Sequence, residues 1–159
     1  MKLIASKLRA ADDSIRIVGL GAGDLSAFDP EVVDAAGTLD DLRTVLEHAQ
    51  DDDENRWVIL VDDADRIDAD SGPLAELARS APPNVTIIAA VRTSAARSAF
   101  GHWTRQVRAS GVGLLLQPDN STDGEIFGNR LPRGERLPPR PGRGYVVQSS
   151  EIADTQIAH

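Results

Sequence analysis

Apolar positions along the chain follow two rhythms. Three stretches are nearly continuous: Trp57–Val61 (WVILV), Val85–Val91 (VTIIAAV) and Gly113–Gln117 (GLLLQ). Runs of this length with polar residues on either side predict strands buried on both faces. Ser14–Leu20 (SIRIVGL) alternates and is β-branched, and predicts a fourth strand. Between these lie helical stripes. Leu3, Ile4, Leu8 and Ala11 form one, and Leu39, Leu42, Val45, Leu46 and Ala49 form another. Thr38 and Asp41 resemble a capping pair ahead of the second stripe. Pro73 suits the first turn of a short helix ending at Arg79. Further helical segments are expected from Thr93 or Ser94 to about Phe100, and over Thr104–Ala109. Asp123–Phe127 reads as a short turn or helix, and Gly144–Gln148 with Thr155–Ala158 as a closing hairpin. Strands alternating with helices predict an α/β fold with a mostly parallel sheet covered on both faces, the antiparallel hairpin at one edge.

At 159 residues the chain is expected to form one domain with a real core. It contains no apolar run near the roughly 18 residues of a membrane span and no signal-peptide pattern. It has no cysteine, which favours a reducing cytoplasm over a disulfide framework and removes thiolate metal sites. Its three histidines, His48, His102 and His159, are scattered and make no zinc pattern. The net charge of −8 is unevenly spread: residues 1–90 hold 19 acids against 8 bases, and residues 91–159 hold 9 arginines against 6 acids. That asymmetry fits either an interaction face or solvated surfaces of opposite sign.

The candidate chemistry sits where the central strand ends, at Asp62-Asp63. Acids at the carboxyl edge of a parallel sheet stand where open α/β proteins place their ligands. A carboxylate near a core is costly unless it is paired or bound to a cation. The pair suggests a Walker B element, in which Asp62 holds Mg²⁺ through water and Asp63 polarises the attacking water; a plain acidic turn is the alternative. A phospho-receiver site also has two acids here but needs a lysine on a later strand, and the chain's lysines are Lys2 and Lys7. Gly19, Gly21 and Gly23 do not form G-x-G-x-x-G, because position 24 is Asp24, and Asp29-Pro30 intervenes before any helix; they read as a loop. Asp51-Asp52-Asp53-Glu54 reads as a solvated loop, with weak cation binding as the alternative.

The order and spacing of several segments over about 100 residues resemble the carboxyl-terminal part of an FtsK/SpoIIIE-type ATPase domain, as in actinobacterial FtsK/SpoIIIE-family proteins and the tandem ATPases of type VII secretion. The segments are Trp57–Ile67, Val85–Thr93, Phe100–Thr104, Ser110–Pro118, Asp123–Leu131 and Pro139–Val146. The resemblance implies a RecA-like sheet, ATP and Mg²⁺ as cofactors, ring-forming ATPase subunits or domains as partners, and protein or DNA as cargo. It makes Asp62 the Walker B aspartate and metal ligand. It puts Asp63 where active members carry the catalytic glutamate, and Arg92 at a sensor-like position near the γ-phosphate. Gly142, Arg143, Gly144 and Tyr145 resemble the segment beside the nucleotide base. Arg105 and Arg108 are candidate trans-acting arginines. Each has a plainer alternative: a capping or surface role for Arg92, and turn geometry for Gly142 and Gly144.

The sequence departs from the family at one decisive place. It holds no G-x-x-x-x-G-K-[ST], the loop whose backbone N–H groups, lysine and hydroxyl hold phosphates and Mg²⁺. The strand that should precede that loop is missing as well. Asp63 is one methylene shorter than the glutamate it replaces. The chain therefore reads as a truncated or degenerate module, either the tail of a translocating ATPase or a non-enzymatic assembly or docking module, and is expected to be inactive alone. Residues 128–143 are rich in Pro, Gly and Arg and predict an extended surface segment. Arg130, Arg133, Arg136, Arg140 and Arg143 could neutralise phosphates. With no aromatics interleaved for base stacking, tight autonomous DNA binding is not expected.

Overall fold

The computed structural model describes residues 1–22, 25–37, 39–67, 72–118, 122–132, 140–149 and 151–157. The chain forms two compact units, Met1–Val107 and Arg108–His159. The first contains α1 (Lys2–Ala11), β1 (Ile15–Leu20), β2 (Ala35–Gly37), α2 (Leu39–Gln50), β3 (Arg56–Val61), α3 (Pro73–Arg79), β4 (Val85–Ala89) and α4 (Thr93–Ser98). Thr38, the expected cap of α2, lies outside the described residues. α5 (Thr104–Ala109) carries the chain into the second unit.

In the first unit the described strands form a parallel sheet in the order β2-β1-β3-β4. β3 is one of its two inner strands, with Arg16 beside Trp57 and Leu20 beside Val61 on one side, and Trp57 beside Val85 and Val61 beside Ala89 on the other. Because strand side chains alternate, an unbroken apolar run feeds two cores. Trp57, Ile59 and Val61 face the cluster that includes Leu42 of α2 and Leu74 and Leu77 of α3. Val58 and Leu60 face the other, with Ala5 of α1, Ile15, Ile17, Phe28 and Val33. Ile17, Leu20, Leu42, Ile59, Leu60 and Leu74 are all fully buried, and each such side chain contributes about 1.5–3 kcal/mol. Gly19 lies within β1, and the Phe28 ring covers it so closely that a Cβ there would sit 2.6 Å from ring carbons.

The second unit is an antiparallel sheet in the order β5 (Val112–Leu116), β6 (Arg143–Gln148), β7 (Glu151–Gln156). The α/β class expected from the sequence is the one observed, but three details differ. Gly113–Gln117 was expected as a third doubly buried strand. β5 instead pairs antiparallel with β6, packs Leu115 against Leu131 and Val147, and leaves Val112 and Leu116 57% and 48% exposed. An apolar run cannot by itself distinguish a strand packed on one face from one packed on two. The hairpin was expected at the edge of the parallel sheet; it belongs with β5. Its last strand starts at Glu151, which pairs with Gln148, earlier than expected; Ser149 takes a positive φ of 56° without the glycine that would have announced it.

β1 is tied to its surroundings by Asp34. The carboxylate accepts the Ile17 amide N–H at 2.6 Å, Arg9 Nη2 at 2.7 Å and Arg16 Nη1 at 3.5 Å. Burial pushes its pKa up, but the amide and the two guanidiniums reverse this, and it titrates below its ordinary 3.8. Asp34→Ala should lower unfolding stability at pH 7 by about 1–2 kcal/mol. A folded-state pKa below the unfolded one gives stability that is full above the unfolded value and is lost as pH falls through the folded one. Urea melts of the wild type and Asp34→Ala should therefore converge as pH is lowered toward and below 3.8.

Candidate functional site

The ends of β1, β3 and β4 form a continuous edge. The Asp62 N–H donates to the Leu20 carbonyl at 2.9 Å, and the Ala90 N–H to the Val61 carbonyl at 2.8 Å. These bonds carry the ladder one residue past each strand and fix where the chain must turn. The turn is made by Asp63 in the left-handed region (φ 46°, ψ 41°), a conformation Asp tolerates better than most residues. A 3-10 turn follows at Ala64–Arg66, where buried Ala64 donates its N–H to the Ala90 carbonyl at 2.9 Å. Beyond it, Trp103, 2% exposed, donates its indole N–H to the Ile67 carbonyl at 3.0 Å and pins the outgoing chain.

The side chains sort themselves into pairs. Asp63 is exposed and bonds Arg66 Nη1 at 3.2 Å. Both partners are more than half exposed, so the contact adds little stability. Arg92, which precedes α4, is held by an acid that the sequence pattern did not single out. Asp65 accepts Arg92 Nε at 3.0 Å, Arg92 Nη2 in a short contact, and the Arg92 backbone N–H at 3.4 Å. The Asp65 side chain is 6% exposed and that of Arg92 67%. Burial pushes the Asp65 pKa up, but the Arg92 hydrogen bonds and charge bring it below the ordinary value. Hydrogen bonding to Asp65, then its charge, raises the pKa of Arg92, with a smaller contribution from Asp63. The structure thus brings Asp62, Asp63 and Arg92 to one sheet edge, and adds Asp65. No short-range motif marks Asp65, because its partner lies 27 positions away.

A second acid missed by the pattern is Asp52, in the loop before β3. It accepts the Asn55 N–H at 3.1 Å, Asn55 Nδ2 at 2.9 Å and the Trp57 indole N–H at 3.1 Å. The acidic loop is therefore partly a staple for the start of β3. Among the described residues no three His, Cys, Asp or Glu groups cluster as a metal site. Asp62, half-buried at the edge, is the carboxylate there that pairs with neither Arg66 nor Arg92 in the bonds described above. One carboxylate suits a Mg²⁺ ion that keeps most of its waters and is otherwise held by phosphates.

Gly142, Arg143, Gly144 and Tyr145 open β6 in the second unit. Both glycines have backbone reasons to be there. Gly142 has φ 74° in the turn before the strand, and a Cβ on Gly144 would lie 1.9 Å from the Leu115 carbonyl oxygen. Arg143 bonds Asp154 at 3.0 Å, and Tyr145 packs against the cluster of Leu115, Leu131 and Val147. Arg105 is exposed and donates to the Phe100 carbonyl at 3.4 Å. Arg130 and Arg140 are exposed, whereas Arg133 and Arg136 lie outside the described residues. No described helix is long and apolar enough to cross a membrane.

No protein-family model matches the chain, and no curated protein does. Two solved structures share its fold. One is Thermomonospora curvata EccC (ATPases 2 and 3) in complex with a signal sequence peptide, at a TM-score of 0.64 and 16% identity, covering 92% of this chain and 33% of that one. The other is the cytoplasmic domain of EssC, at a TM-score of 0.60 and 14% identity, covering 89% of this chain and 33% of that one. The chain spans about a third of the length of each. The fold of part of each of these two proteins is the fold observed here.

Two substitutions test this description. Trp103→Phe removes the donor to the Ile67 carbonyl and should lower stability by about 1–2 kcal/mol in urea melts. Gly144→Ala drives a methyl into the Leu115 carbonyl, so amide-exchange protection should vanish from residues 112–116 and 143–148 and persist at 57–61.

Proposed function

We propose that this chain supplies the Walker B side of a nucleotide pocket in an FtsK/SpoIIIE-type ATPase that moves a polypeptide through a ring of subunits or domains. The observation that carries the reading is the position of Asp62: it follows an inner strand of a parallel sheet, at an edge shared with the end of β4, in a fold shared with parts of EccC and EssC. In this reading Asp62 holds Mg²⁺ through water, Asp63 orients the attacking water, and Arg92 faces the γ-phosphate. Mg²⁺ supplies charge neutralisation between the phosphates when bound. The triphosphate cradle comes from a G-x-x-x-x-G-K-[ST] segment outside this chain. Protein is preferred to DNA as cargo because the EccC structure holds a signal sequence peptide, and because the chain is acidic overall.

A second reading, a non-enzymatic docking module that keeps the fold for assembly, draws support from the pairing at the edge. Asp63 is turned into a left-handed position against Arg66, and Arg92 is occupied by Asp65. Under this reading Asp62→Ala leaves partner assembly intact and no cation response is seen.

The discriminating experiment uses Mn²⁺ in place of Mg²⁺ with ATP, followed by amide NMR. The first reading expects line broadening confined to residues near 20–22, 61–66 and 89–93 and abolished by Asp62→Ala. Broadening elsewhere, or broadening indifferent to that substitution, overturns it. The chain alone should show no ATP turnover above background; turnover removed by Asp62→Ala would refute that expectation.

A further inference from the structure

We propose that Asp65 is a latch on Arg92, which keeps the guanidinium from phosphate oxyanions until a ligand displaces it. This rests on the reading of the sheet edge as a nucleotide-facing surface and adds a regulatory contact to it. The two partners are unequal. Asp65 is fixed: it lies in a 3-10 turn whose Ala64 amide is tied to the Ala90 carbonyl, and its carboxylate is nearly buried. Arg92 is the exposed partner, its side chain 67% accessible. Two guanidinium N–H groups go to Asp65 Oδ2 and the backbone N–H to Oδ1, so one carboxylate occupies the donors that an oxyanion would need. Releasing Arg92 would leave Asp65 nearly buried without its cation, which disfavours the open state. The neighbouring cation, Arg66, is matched by Asp63 through a single exposed contact at 3.2 Å. With both arginines matched by acids of one turn, Asp62 remains as surplus negative charge, so the edge as it stands favours a cation and resists a polyphosphate.

The probe is inorganic tripolyphosphate, titrated calorimetrically into the full chain at low salt. Asp65→Asn keeps the shape and removes the charge that holds Arg92. It should bind tripolyphosphate roughly tenfold more tightly than wild type. Adding Arg92→Ala to it should return the affinity to the wild-type level. Asp53→Asn, the same charge change at an exposed site, should give no comparable gain. An Asp65→Asn variant that melts cooperatively and binds no more tightly than wild type overturns the latch, as does a gain that survives loss of Arg92. If Asp65→Asn does not fold, Asp65→Glu serves. Its carboxylate is a methylene too long to meet the backbone and guanidinium N–H groups together, so affinity should rise, and unchanged affinity refutes the proposal. Because the probe carries no base and is not hydrolysed, the latch can stand even if Mn²⁺ and ATP fail to respond to Asp62.

Discussion

The structure of the first unit depends on one constraint: β3 is paired on both edges and buried on both faces. Its amide ladder leaves no freedom in register against β1 or β4, and its apolar run leaves none in which side chains face which core. A one-residue slip would exchange Ile59 and Val61 for Val58 and Leu60 on opposite faces. The end of the strand is therefore fixed in space by the burial of everything before it. The acids that follow inherit that rigidity, and the turn they form is held to β4 through Ala64 and to the outgoing chain through Trp103.

Much of this was legible in the residues. The alternation of unbroken apolar runs with helical stripes gave the class and placed most elements of the first unit. Asp62 and Asp63 stood out because acids directly after a doubly buried strand must be accounted for. Local pattern failed where a long-range partner decided the outcome. Asp65 looks like an ordinary surface acid until Arg92 is brought to it. β5 looks like a core strand until its antiparallel pairing with β6 and its exposed Val112 and Leu116 are seen. Ser149 gives no sign of the tight turn it makes, because the positive φ falls on a residue type that seldom adopts it.

The electrostatics of the edge run against its composition. The first 90 residues are heavily acidic, yet two of the three acids around the turn are matched one for one by arginines. The nearly buried pair is the more consequential, since its carboxylate has little water to fall back on. The exposed Asp63–Arg66 pair is screened and can open freely. Two contacts that look alike on paper thus differ in how readily each arginine can be recruited elsewhere.

The chain's two tryptophans occupy different surroundings at the two ends of this architecture. Trp57, half-buried at the start of β3, shares its indole proton with a loop carboxylate; Trp103, sealed from solvent, shares its own with a carbonyl just past the acidic turn. A shielded indole emits at shorter wavelength than one in contact with water. The molecule therefore carries an intrinsic optical gauge, in which the blue component of its emission reports on the chain leaving the edge and the red component on the strand entering the sheet.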